Sequence, residues 1–260
     1  MGNTQEQILA ACKDGDVEEL RSLLNGLDGA GRQDPDLFKK MLQSAARSCQ
    51  LSAVQYLISQ NSSFTIDRET GLAVATSGSI EIYEALYAID PNVISLHFGH
   101  TGDPITIAVS SSNVPVLAFL LEKGADPNAG RYLSRWSPIA LAAQGSSEGI
   151  IPLLMKHGAQ TSGSNALQNA VTAGRLDFVE ALLKDGADVN DALDYHHVPK
   201  LFDHMETPLH TAVRLAKLDM VAKLLQHGAD PKLPDSKGKT VVMRAQEKGR
   251  EDIIEALHNR

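Results

Sequence analysis

One segment of the sequence concentrates the side chains that could do chemistry. Between positions 191 and 206 it carries imidazole and carboxylate groups close together, namely Asp194, His196, His197, Asp203, His204 and Glu206. Such groups can bind a transition-metal ion, and a His–Asp pair can transfer protons. Adjacent histidines in a loop have no fixed relative geometry, however, and no helical His-x3-His or cysteine pair supports them. A polar loop with solvated histidines is the competing interpretation, and we predict no catalytic residue, no metal site and no cofactor.

The segment is followed by a pattern that predicts two short helices and a loop. Thr207 can cap a helix through its hydroxyl, and Pro208 suits the first helical position, where no amide hydrogen bond is lost. Apolar residues then recur at helical spacing, and Gly228 is placed to end the second helix in a left-handed conformation. A single helix–turn–helix cannot bury both of its apolar faces, so it requires copies of itself.

Such copies occur along nearly the whole chain. Thr240 opens one 33 residues after Thr207, and earlier copies are marked by Asp103-Pro104-Ile105-Thr106, Ser137-Pro138-Ile139-Ala140, Gly124-Ala125-Asp126-Pro127-Asn128, Gly158-Ala159-Gln160 and Gly186-Ala187-Asp188-Val189-Asn190. At these residues the sequence resembles the ankyrin-repeat family, whose pattern is T-P-L-H-x-A followed by G-A-D-x-N with a period near 33. The resemblance implies that His210 makes a structural hydrogen bond near a helix start.

The resemblance also predicts the architecture. It implies an all-α ankyrin-repeat solenoid of about eight stacked helix pairs with β-hairpin-type loops. We expect a single domain over residues 1–260, with a long loop at 191–206. The repeats are expected to start near residues 6, 40, 70, 103, 137, 165, 207 and 240.

Composition and charge restrict the class of partner. The chain has 260 residues, of which 43% are hydrophobic, and a net charge of −8. This charge argues against a general nucleic-acid or anionic-membrane surface. The sequence shows no secretory leader and no long apolar run, so we expect the protein in the cytoplasm, with the nucleus as the alternative. We also expect it to be a monomer. Cys12 and Cys49 are interpreted as small buried thiols in a reducing compartment, Cys49 standing where a turn glycine is expected.

The connection between the fourth and fifth repeats is the most suggestive loop. Residues 129–136 correspond to the segment that forms a β-hairpin finger in ankyrin proteins, and this finger carries Arg131, Tyr132, Arg135 and Trp136. Tyr, Trp and Arg are enriched at binding hot spots, so these residues are candidate partner contacts. The alternative for Trp136 is that it packs under the hairpin and stiffens it.

The next two connections depart from the period in opposite directions. Thr161 to Ser164 is about five residues too short for a finger, whereas the segment 191–206 is about nine residues too long for the 33-residue period. A long loop in a compact array is often functional. We therefore hypothesise that it folds back across the gap and closes a pocket between Trp136 and Tyr195, with His196 and His197 nearby.

The inner face is interpreted by resemblance. Contacts in the family come from hairpin tips and from the last exposed turn of each first helix. In this chain those helix positions include Ser110, Ser111, Gln144, Thr172 and Arg214. We predict a protein-interaction module that binds another protein on its concave face without catalysis. The alternatives are a small-molecule-binding protein or an unorthodox enzyme with a pocket under the 191–206 loop, and, for each polar residue, a merely soluble surface.

Overall fold

The computed structural model describes residues 2–61, 64–130, 137–145, 148–192 and 206–258. In these residues the regular secondary structure is α-helix with short 3-10 turns, which confirms the predicted all-α class. The described connections contain no strand. Some of them contain a short 3-10 helix, such as Pro91–Ile94 and Gly99–Thr101. The chain divides into two compact units, Met1–Asp126 and Pro127–Arg260.

The first unit is a stack of four helix pairs. The first helices of the pairs pack in the order α1, α4, α6 and α8, and the second helices in the order α2, α5, α7 and α9. A one-turn helix, α3, lies in the connection between the first two pairs. The helices are α1 (Gly2–Asp14), α2 (Val17–Asn25), α3 (Gly29–Arg32), α4 (Pro35–Arg47), α5 (Leu51–Gln60), α6 (Arg68–Ser77), α7 (Ile80–Tyr87), α8 (Pro104–Ser110) and α9 (Val114–Glu122).

The second unit also holds four helix pairs in its described residues. Its first helices pack in the order α10, α12, α14 and α16. The helices are α10 (Pro138–Gly145), α11 (Ile150–Lys156), α12 (Ala166–Ala173), α13 (Leu176–Lys184), α14 (Pro208–Arg214), α15 (Leu218–Gln226), α16 (Val241–Glu247) and α17 (Glu251–His258).

Short side chains set where the first helices begin. Asp103 caps α8 by accepting from the Thr106 amide at 2.8 Å, and Thr207 caps α14 by accepting from the His210 amide at 3.3 Å. The second repeat's first helix begins at Pro35 rather than near residue 40, because the carboxylate of Asp34 accepts from the amide two residues on at 2.9 Å. Each of these caps satisfies an amide that the helix itself leaves unpaired.

His210 connects one repeat to the next. Its Nδ1 lies 2.8 Å from the Thr207 hydroxyl, and its Nε2 lies 3.1 Å from the backbone carbonyl of Lys239, in the loop that precedes α16. The side chain is buried. The predicted structural role of this histidine is therefore confirmed.

The turns inside the helix pairs need a left-handed residue. Gly78 and Gly174 supply it at φ of 68° and 80°, and Cys49 adopts the same conformation at 57°. Cys49 is exposed, so its interpretation as a buried thiol was wrong: the left-handed turn after α4 lies at the surface. Cys12 is buried in α1 as expected, and burial raises the pKa of its thiol to about 12.

Candidate functional site

The predicted helix-end residues lie at the exposed carboxyl ends of first helices. Ser110 and Ser111 end α8 in the first unit. In the second unit Gln144, Thr172 and Arg214 stand at corresponding ends of α10, α12 and α14, which pack one after another. The three residues therefore lie at the ends of three consecutively packed first helices.

The hydroxyl groups at these ends donate hydrogen bonds to backbone carbonyls of their own helices. Ser110 donates to the Thr106 carbonyl at 2.7 Å, Ser111 to the Ile107 carbonyl at 2.8 Å, and Thr172 to its own helix at 2.8 Å. This back-bonding to the carbonyl four residues earlier is common for Ser and Thr in helices. The exposed oxygens keep lone pairs, so these positions can accept hydrogen bonds from a partner.

Arg214 belongs to a polar network that runs into the interior. Its Nε donates to Glu206 Oε2 at 2.9 Å, and the Thr211 hydroxyl donates to the same oxygen at 3.3 Å. The Gln168 amide nitrogen donates in turn to the Thr211 hydroxyl, linking α12 to α14. Glu206, assigned by its sequence position to the histidine-rich segment, is buried and acts as a structural acceptor. The Gln168 carbonyl oxygen is buried without a partner among the described residues.

Lysines from the following repeat close the same helix ends. Lys217 Nζ donates to the Thr172 carbonyl at 2.8 Å, and Lys248 Nζ donates to the Arg214 carbonyl at 3.3 Å. A cation at a helix carboxyl terminus is favoured by the helix dipole and satisfies carbonyls that the helix leaves unpaired. We refer to these two contacts as the lysine staples.

The predicted finger and loop contacts lie outside the described residues. This holds for Arg131, Tyr132, Arg135 and Trp136, and equally for Tyr195, His196 and His197. At the start of the long segment, the Gly163 amide donates to Asp191 Oδ2 at 2.7 Å, so Asp191 does lie against the short connection 161–164. The hypothesis of a pocket between Trp136 and Tyr195 stays a prediction.

A groove between α1 and α4 in the first unit has a cationic lining. It has a volume of about 350 Å³ and is lined by Leu9, Lys13, Lys40, Gln43, Ser44, Arg47 and Ser48. Lys13 and Lys40 were not predicted from the sequence as site residues. The available signal was the seven-residue spacing of Lys40 and Arg47, which places both on one helix face, beside a lysine in the last turn of α1.

A second depression of about 520 Å³ lies at the other end of α4. Phe38 and Phe64 pack edge to face in its wall with ring centroids 5.0 Å apart. At its rim, Lys39 Nζ lies 3.5 Å from Asp67 Oδ2. The cation nearest this depression is therefore paired within the protein, unlike the cations of the α1/α4 groove.

A buried carboxylate organises the loop before α16. Asp235 accepts from the amides of Lys237 and Lys239 at 2.8 and 3.0 Å and pairs with the guanidinium of Arg244. Burial by itself would raise the pKa of Asp235, but these hydrogen bonds and the Arg244 charge hold it below the ordinary value. The group therefore remains ionised as a structural anchor.

Two further features are absent from the described part of the chain. Within it, no group of three or more His, Cys, Asp or Glu is arranged to hold a metal ion. No helix in those ranges combines the length and apolarity needed to cross a membrane.

Comparison with known proteins identifies relatives that share the repeats. The chain is 35% identical over 123 residues to the mouse B-cell lymphoma 3 protein homolog, covering 44% of this chain and 24% of that protein. It is 35% identical over 130 residues to the Drosophila melanogaster transient receptor potential channel pyrexia, covering 48% and 12%. It is 26% identical over 245 residues to the Neurospora crassa ankyrin repeat protein nuc-2, covering 88% and 22%. The chain thus spans about a quarter or less of each relative.

The family comparison covers more than half of the chain. The family model "Ankyrin repeats (3 copies)" matches residues 105–192 and 194–260. These ranges include most of α8 and every helix from α9 to α17. The chain belongs to the ankyrin-repeat family.

Proposed function

We propose that this protein is a non-catalytic interaction module that binds a partner protein on the face formed by the exposed ends of its first helices. Ankyrin repeats are generally protein–protein interaction modules. The observation that carries the proposal is the row formed by Gln144, Thr172 and Arg214 on three consecutively packed helices. This face would be the concave face of the array.

The chemistry of the row favours a partner that offers both hydrogen-bond donors and acceptors, because Arg214 can only donate. The Thr172 oxygen is left as an acceptor, and the exposed Gln144 amide can both donate and accept. Packed helices lie about 8–10 Å apart, so three of them present contacts over roughly 20 Å. That length suits a helix or an extended loop of a partner, whose backbone amides or Asn and Arg side chains would supply the donors.

The finger and the long segment supply the remaining proposed contacts. A stable interface buries about 800 Å² on each partner, which is more than three small side chains provide. Aromatic and basic residues of the finger and the long segment would extend the surface. They are Arg131, Tyr132, Arg135 and Trp136 in the finger, and Tyr195, His196 and His197 in the long segment. The proposal also takes the protein to act as a monomer in the cytoplasm, with the nucleus as the alternative compartment.

The test is a quantitative affinity capture with matched variants. Wild type and Gln144→Arg/Thr172→Arg serve as baits beside Ala222→Arg/Gln226→Arg, which adds the same charge to exposed positions of the second helix α15. We expect a protein captured by wild type and by the α15 variant to be lost from the first-helix variant, with unchanged thermal unfolding. Equal capture by all three baits would contradict the proposed face.

A parallel bait addresses the finger separately. Arg131→Ala/Trp136→Ala should weaken capture of the same partner if the finger contributes hot-spot contacts. Unchanged capture by this bait would remove the finger from the site and leave the helix row standing.

A further inference from the structure

The α1/α4 groove carries three cationic side chains that have no partner among the described residues. Lys13, Lys40 and Arg47 are exposed, and none forms an ion pair or side-chain hydrogen bond with another described residue. No Asp or Glu lines the groove. In a chain with a net charge of −8, a groove lined by three unpaired cations is a departure from the average surface.

The polar residues between these cations are held in place from within. Ser44 donates to the Leu9 carbonyl at 3.1 Å, and the Gln43 amide donates to the Thr70 hydroxyl at 3.3 Å. Gln43 and Ser44, which form part of the groove lining, are thereby fixed to α6 and to α1, respectively. The cations are left as the charged donors facing the groove, and a ligand with several carboxylates would satisfy them.

The spacing of the cations fits an extended chain better than a point charge. Lys40 and Arg47 are seven residues apart on one helix, which separates them by roughly 10 Å along its axis. An extended peptide rises about 3.3 Å per residue and alternates its side chains between two faces, so carboxylates two or four residues apart lie on one face, roughly 7 or 13 Å from each other, and bracket this separation. Leu9 adds an apolar contact for the stems of such side chains.

We propose that this groove binds an acidic segment of a partner protein, with Lys13, Lys40 and Arg47 contacting its carboxylates. The inference rests on the proposed function, because it gives the chemistry of one segment of a protein partner. A long polyanion such as a nucleic acid is disfavoured, since it would extend beyond the groove over a chain of net charge −8. A short peptide meets mainly the local cations, because charges further than about 8 Å away are screened at physiological ionic strength.

The test measures binding of a defined probe to the full chain. Fluorescence anisotropy of fluorescein-labelled hexaglutamate is recorded at an ionic strength of about 0.1 M, where distant charges are screened, with labelled hexaglutamine as the uncharged control peptide. We expect hexaglutamate alone to bind, and Lys40→Glu/Arg47→Glu to weaken it by about tenfold or more, since two attractive pairs become repulsive. The milder Lys40→Gln/Arg47→Gln should weaken it less, and added salt should weaken the wild-type complex.

A charge-matched control separates the groove from overall charge. Lys156→Glu/Lys232→Glu makes the same change in net charge at exposed lysines of the second unit and should leave binding within about twofold. Equal weakening of hexaglutamate binding by both charge-reversal variants, or no binding by wild type, would overturn the proposal that this groove binds an acidic peptide. Displacement of hexaglutamate by inorganic phosphate or by a short single-stranded oligonucleotide at lower concentration would overturn the acidic-peptide assignment.

The two proposals can fail independently. If hexaglutamate binding fails while Gln144→Arg/Thr172→Arg still abolishes partner capture, the interaction module stands and only the groove's ligand is wrong. If the groove binds the peptide but no protein is captured through the first-helix row, the proposed binding face is wrong and the groove remains.

Discussion

Two pairs of neighbouring first helices use their polar side chains in opposite ways. Between α12 and α14, hydrogen bonds link the Gln168 amide nitrogen to Thr211, and link Thr211 and Arg214 to Glu206, and Lys217 closes the end of α12. Between α1 and α4, one side-chain hydrogen bond from Ser44 to a backbone carbonyl crosses the interface, and the cations remain without partners in the described structure.

The difference separates polar groups that hold the fold from polar groups available to a ligand. A buried donor or acceptor is costly to leave unpaired, so the α12/α14 network contributes to stability even though each of its bonds is modest. Exposed unpaired cations contribute little to folding. Substitutions in the first pair should therefore change stability, whereas substitutions in the second should change binding.

The largest expected effect is at Thr211. Thr211→Val keeps the volume of this fully buried residue but leaves the Gln168 amide and the Glu206 carboxylate each short of one partner. We expect the free energy of unfolding to fall by about 1–3 kcal/mol. Urea denaturation would measure it. The matched control is Thr76→Val, where an exposed threonine bonds only to its own helix, and an equal loss in both variants would contradict the network's role.

Smaller effects are expected from replacing Arg214, which belongs to the α12/α14 network, and Arg47, which lines the α1/α4 groove. Arg214→Gln removes the charged partner of the buried Glu206, at a cost of about 1–2 kcal/mol in the free energy of unfolding. Arg47→Gln should change stability by less than about 0.5 kcal/mol, because Arg47 has no partner to abandon within the described structure. Similar thermal shifts for the two variants would remove the contrast between the regions.

A third expected effect is a pH dependence in the loop before α16. The pKa of Asp235 is lowered in the folded chain, so its contribution to stability is present above the unfolded value of about 3.9 and is lost as pH falls through the folded value. Asp235→Asn should therefore destabilise the protein at pH near 7 and narrow its difference from wild type under strongly acidic conditions. Urea midpoints at both pH values would measure this, and a constant difference would contradict the linkage.

Local signals in the sequence predicted most of the fold. Thr207 followed by Pro208 and the motif histidine His210 are short-range patterns, and the structure uses them as expected. The second repeat was expected to start near residue 40, whereas its first helix begins at Pro35, after the cap at Asp34. Cys49 was taken as buried because cysteine usually is, whereas its place in a left-handed turn puts it at the surface.

The candidate sites were harder to predict because they depend on which helices meet. The α1/α4 groove needs Lys13 and Lys40, which are far apart in sequence and gain significance only when their helices pack. The role of Glu206 depends on Thr211 and Arg214 one and two turns away, and its sequence position suggested loop chemistry instead. A one-dimensional pattern gives neighbours along a helix and not the partners across an interface.

The lysine staples have a mechanical consequence. Lys217 binds the end of α12 and Lys248 binds the end of α14, so each of these two first helices is held by the repeat that follows it. Because the fastening is between adjacent repeats only, a load applied at the carboxyl terminus meets one staple before the next. Under a force applied at that end, this part of the chain would unfold one repeat at a time rather than in a single step.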